Sequence, residues 1–136
     1  MVKVIVGRKG TGKTKILIDR INEADRTTKG CLVCIEKGDA LRRAISYRVR
    51  WNDVDQFGID SFDSFYGFVA GMLAGNYDIE GVYVDGILKT CGYDYEALGN
   101  MLDKLDKLTM SSDIDLTFTV SADAADLPLS VTKYMD

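Results

Sequence analysis

Residues 7–14 read Gly-Arg-Lys-Gly-Thr-Gly-Lys-Thr, a full match to G-x-x-x-x-G-K-[ST], a spacing that suits the cradling of phosphates. Average residue usage produces this pattern by chance in about one chain in a few hundred of this length, so its surroundings carry weight. Gly7, Gly10 and Gly12 allow backbone conformations that turn N–H groups onto phosphate oxygens, with Arg8, Lys9 and Thr11 completing the cradle. Lys13 would reach the β- and γ-phosphates of a bound chain, and the Thr14 hydroxyl would hold Mg²⁺. A hydrogen bond to a charged group is worth about 1.5–3 kcal/mol net, so losing Lys13 should weaken such a ligand by about tenfold or more.

The flanking residues supply the elements this loop requires. Residues 2–6 (VKVIV) form an apolar run broken only by Lys3, and Ile16, Leu17, Ile21 and Ala24 follow at the spacing of a helix with one apolar side. The spacing predicts strand, loop, helix, with the helix starting near Gly12 and its positive dipole end aimed at the same anion. Further along, Val82, Tyr83 and Val84 make a short strand that ends in Asp85. Ligands of α/β sheets gather at the carboxyl ends of strands, where a carboxylate can orient water bound to Mg²⁺. Thr14 and Asp85 are therefore the expected metal pair.

Composition narrows the chemistry. The chain has 136 residues, a formal net charge of −4, three cysteines and no histidine. Without histidine, zinc-hydrolase, triad and histidine-base chemistries drop out. An acidic balance argues against a surface that coats nucleic acid, which needs a basic face. There is no apolar run near 18 residues and no signal-peptide pattern at the start, so no membrane insertion and a cytoplasmic location are expected. Cys31 and Cys34 sit inside a strand-like run, where residues three apart face opposite sides, so neither a disulfide nor a shared metal is expected of them.

Residues 31–35 (CLVCI) are unbroken apolar sequence ending at Glu36, as in a strand buried on both faces of a parallel sheet. In residues 45–51, Tyr47, Val49 and Trp51 alternate with polar neighbours, which predicts a half-exposed edge strand. Asp60 or Ser61 caps a helix carrying Phe62, Phe65, Tyr66, Val69, Met72 and Leu73 on one side. Asp94 caps another with Leu98, Met101, Leu102, Leu105 and Leu108 as its stripe. Residues 114–120 make a last strand running into Ser121, and Pro128 opens a short helix through Tyr134. Alternating strands and helices over residues 1–136 predict one α/β domain of three layers, a mostly parallel five-stranded sheet flanked by helices.

The loop GRKGTGKT, the second strand ending in an acid (CLVCIEKGD), the VYVDGIL segment and the polar end of the last strand (TFTVSAD) together resemble the RecA-like branch of P-loop ATPases. More distantly they resemble the secretion and twitching-motility ATPases, although the extra amino-terminal domain of those motors is not expected here and their histidine-containing motifs are absent from these 136 residues. In those families the water-activating glutamate follows the second strand, so the resemblance implies Glu36 as catalytic base, Asp85 as the Walker-B metal residue and Ser121 as a γ-phosphate sensor. Elimination among strand-end acids leaves Glu36 and Asp85 for work near a γ-phosphate, with a solvated strand-end acid as the plainer role of Glu36.

No strand ends in [NT]-K-x-D, and no D-x-x-G follows Asp85, so ATP is expected over GTP. The expected function is ATP binding with slow Mg²⁺-dependent hydrolysis. A nucleotide-sensing module without turnover is the alternative, because Gly86 stands where many ATPases carry a second acid; a small-molecule kinase is a more distant one. Arg42, Arg43, Arg48 and Arg50 form the basic cluster outside the loop. They fit a solvated sheet edge, a contact with another copy or a protein partner, or single-stranded nucleic acid.

Overall fold

A computed structural model describes residues 1–136. Five strands, β1 (Val2–Gly7), β2 (Cys31–Glu36), β3 (Arg50–Asp53), β4 (Ile79–Val84) and β5 (Asp115–Ser121), form one sheet in the order β1-β5-β4-β2-β3. All four pairings are parallel, where sequence alone had indicated a mostly parallel sheet. The helices are α1 (Lys13–Thr27), α2 (Phe62–Gly75), the short α3 (Ile87–Cys91), α4 (Tyr95–Thr109) and the short α5 (Leu129–Thr132).

The strand order fixes where the helices lie. The chain moves across the sheet from β1 to β2 and β3, then reverses to β4 and β5. Right-handed crossovers made in opposite directions put their helices on opposite faces. Accordingly Leu17 and Ile21 of α1 pack with Ile5, Leu32, Cys34 and Tyr83 on one face. The neighbouring residues along the same strands, including Val33, Ile35, Val82, Val84 and Phe118, pack on the other face with Phe65 and Val69 of α2 and Leu98, Leu102 and Leu105 of α4. Cys31 and Cys34 fall on opposite sides, as their spacing requires, and all three cysteines are free.

Local signals place most element ends. Ser61, not Asp60, caps α2, its hydroxyl accepting from Ser64 N while Ser64 returns a bond to the Ser61 backbone. Asp94 caps α4 through Ala97 N. On α1 the buried stripe runs through Leu17 and Ile21, while Ile16 is 43% exposed, and on α4 Leu108 falls outside the expected stripe at 44% exposed.

Two expectations are corrected. Residues 45–49 are not strand. Ser46 accepts from Arg48 N through its hydroxyl and from Val49 N through its carbonyl, and this local turn displaces the ladder. Tyr47 is left 92% exposed, and the edge strand begins only at Arg50. The helix after Pro128 is shorter than expected, ending at Thr132. Beyond it the chain runs along the outer edge of β1, where Val4 N donates to Tyr134 O. No helix is long and apolar enough to cross a membrane.

Candidate functional site

The 7–14 loop joins β1 to α1 through backbone that only glycine adopts comfortably. Gly10 and Gly12 have φ of 83° and 88°, in the left-handed region where a side chain is strained. At Gly7 the need is space, since a Cβ would lie 2.6 Å from the Thr11 hydroxyl oxygen. Thr11 Oγ1 donates to Arg8 O at 2.6 Å, which closes the turn, and Arg8 reaches across to Asp123 at 2.6 Å. That ion pair holds the Asp123 carboxyl below the usual aspartate range, the hydrogen bond from Arg8 being the main cause.

Gly12 caps α1 with no side-chain hydrogen bond, and the first turn holds no acidic residue. The N–H groups of that turn have no intrahelical partner, so the helix presents open donors and the positive end of its dipole. Lys13 follows directly. It is 7% exposed, with Nζ donating to Arg8 O at 2.9 Å. Burial pushes its ammonium below the ordinary lysine value, and the charge of Asp85 opposes the shift.

Three strand ends meet this loop. Gly7 lies beside Ser121 in the β1–β5 register, so the expected sensor residue is the direct neighbour of the loop's first glycine. Asp85 follows β4, the next strand, and Thr14 Oγ1 lies 3.3 Å from both of its carboxylate oxygens. Residues 14 and 85 therefore come together. Between them and Ser121 stands Thr119, 2% exposed, whose hydroxyl donates to Asp85 Oδ1 at 2.7 Å and accepts from Gly86 N at 2.8 Å. Sequence reasoning missed Thr119. Its signal was a pair of threonines, Thr117 and Thr119, alternating with apolar residues in a buried strand.

These groups line a cavity of about 540 Å³. Lys9, Lys13, Thr14, Asp85, Thr119 and Ser121 are among its lining. Lys89 of α3 and the following Tyr93 line it too, both unforeseen because a five-residue helix carries too little periodicity to detect. Three lysines face one carboxylate, which suits a polyanion. One carboxylate and one hydroxyl are too few donors for an all-protein metal cage. They are enough for Mg²⁺, which keeps several waters and shares ligand phosphate oxygens.

Glu36 does not line this cavity. Its carboxylate is 3% exposed, with Oε2 accepting from Leu41 N at 2.9 Å and from the Trp51 indole at 2.7 Å. It organises the turn after β2. The arginine cluster lies elsewhere too, and most of it is engaged locally. Arg42 stacks 4.8 Å from the Trp51 ring centre, Arg48 pairs with Asp25 at 2.6 Å, and Arg50 donates to Asn76 at 3.3 Å.

No protein-family model and no curated protein matches this chain.

Proposed function

We propose that this chain is a P-loop nucleotide-binding protein that takes up a nucleoside triphosphate with Mg²⁺, ATP rather than GTP, and hydrolyses it slowly. The meeting of Thr14 and Asp85 in a cavity lined by three lysines supports this most directly. A hydroxyl from the first turn of α1 and a strand-end carboxylate, far apart in sequence, converge beside open helix donors. In this reading the backbone of residues 7–12 and the α1 terminus bind the phosphates. Lys13 gives up its bond to Arg8 O for the β- and γ-phosphates, and Thr14 and Asp85 hold the metal. Bound there, Mg²⁺ would offset phosphate charge and help orient the terminal group.

Slow turnover follows from the carboxylates. Asp85 is the one carboxylate lining the cavity, and Thr14 and Thr119 already engage it. The position of Glu36, tied to Leu41 and Trp51, favours the second reading, a sensor that binds nucleotide without hydrolysing it.

Calorimetric titration with ATP and ADP, each with Mg²⁺ and with EDTA, tests the proposal. Lys13→Met keeps the buried stem and removes the charge, and should cost about tenfold or more in ATP affinity. Asp85→Asn, like EDTA, should weaken triphosphate binding more than diphosphate binding. Unchanged ATP affinity in folded Lys13→Met protein ends the phosphate-loop reading. Phosphate release by the wild type separates hydrolysis from sensing, and release that requires an added acceptor would point to a kinase.

A further inference from the structure

We infer that Lys89, rooted beside Asp85-Gly86 in the lining of this cavity, is a second cation for the terminal phosphate and selects triphosphate over diphosphate. The inference rests on the nucleotide reading above and adds a residue to it.

The position of Lys89 follows from how α3 is anchored. The helix begins directly after Asp85-Gly86, and Ile87, Leu88 and Thr90 are all buried. Lys89 is the exposed residue among them, and it lines the cavity. The anchoring neighbours fix the backbone beneath it, and a Cβ at Gly86 would lie 3.6 Å from its Cβ, so the side chain starts beside Asp85-Gly86. It takes part in no ion pair, hydrogen bond or ring contact within the chain. Lys15, Lys37 and Lys133 pair with aspartates and Lys13 Nζ is bonded to Arg8 O; Lys3, Lys9, Lys29 and Lys107 are unpaired like Lys89, but of these four only Lys9 lines the cavity. In a chain of net charge −4, a lysine left unpaired at a cavity wall is an unused charge facing the space where a ligand would lie.

The direction of a bound phosphate chain decides which group Lys89 meets. Open N–H donors at the start of α1 mark the inner phosphates. The Thr14–Asp85 pair marks the outer end, because Mg²⁺ held by those residues would offset the charge of the outer phosphates. Lys89 leaves the backbone beside Asp85-Gly86, at that outer end, and in this reading meets the last phosphate of a triphosphate. A diphosphate ends short of it. Lys9, by contrast, belongs to the loop itself and would face phosphates common to both ligands.

The test compares wild type, Lys89→Met and Lys89→Arg by calorimetric titration with Mg²⁺-ATP and Mg²⁺-ADP. Lys89 is exposed and Met matches its stem, so the fold is expected to be unaffected, which thermal melting checks. Lys89→Met should weaken ATP about tenfold and ADP by no more than about twofold, and Lys89→Arg should restore ATP binding. Raising the salt concentration should shrink the difference between wild type and Lys89→Met, as it does for an exposed charge pair. Equal loss for both nucleotides, or none for ATP, overturns the role of Lys89 and leaves the phosphate loop standing. A wild type that binds neither nucleotide overturns both.

Discussion

Thr119 fixes the carboxylate of Asp85 from the neighbouring strand, across 34 positions of sequence, with a 2.7 Å hydrogen bond. An ionised carboxylate only accepts, so the Thr119 proton points at Asp85 and the hydroxyl oxygen is left to receive Gly86 N–H at 2.8 Å. One buried hydroxyl thereby sets the side chain at residue 85 and the backbone at residue 86.

Thr119→Val should loosen both. A buried N–H without a partner costs about 1–3 kcal/mol, so the melting temperature should fall. The affinity for Mg²⁺-ATP should fall with it, while ATP binding in EDTA changes little. Thr119→Ser keeps the hydroxyl and should recover most of the affinity. Melting curves and paired titrations with and without Mg²⁺ check this; equal losses in both conditions would show that Thr119 acts on the fold alone.

Glu36→Gln addresses the end of β2. An amide oxygen can still accept from Leu41 N and the Trp51 indole but without charge assistance, so stability should drop by about 1 kcal/mol. The only tryptophan reports the change directly, and its emission should shift. Nucleotide affinity and any turnover should stay within a few-fold of wild type, because Glu36 stands outside the cavity. A fall in turnover by about 10²–10⁴, the contribution of a positioned base, would return Glu36 to the catalytic role that the family resemblance implies.

Burial pushes the Cys34 thiol up from 9.0 to about 12. Its folded value lies above its unfolded one, so its contribution to stability is intact below pH 9 and is lost as pH rises from about 9 towards 12. There the unfolded chain releases the proton and the folded chain keeps it. Alkaline unfolding should therefore be less steep in Cys34→Ala than in wild type, after allowing for that variant's lower starting stability. Thiol alkylation at pH 8 should leave Cys34 unmodified until the protein is denatured. Rapid labelling of the native protein would contradict its burial.

What the sequence revealed was local. Glycines, Lys13 and Thr14 are contiguous, and their strand and helix lie on either side, so one window of sequence holds the whole loop. Asp85 was legible because an acid after three apolar residues marks a strand end. Thr119 was not, since its partner is set by β5 lying between β1 and β4, an order that no local pattern encodes. Lys89 and Tyr93 were hidden by the shortness of α3. The misjudged strand at residues 45–49 shows the reverse failure: alternation was present, but Ser46 offered the backbone bonds that a ladder would otherwise have supplied.

The α1 helix is the one helix on its side of the sheet, where Leu41 and Val49 of the segment after β2 pack beside it, whereas α2, α3, α4 and α5 share the other. The helix whose amino end faces the cavity is thus also the lid of the smaller core, seated through Leu17 and Ile21 on Leu32, Cys34 and Tyr83. A ligand gripping residues 12–14 would pin that lid at one end. Whatever free energy its binding adds, RT ln(1 + [L]/Kd), would be felt first as slower opening of the α1 side. Filled and empty, the protein would differ less in shape than in which of its two faces yields first.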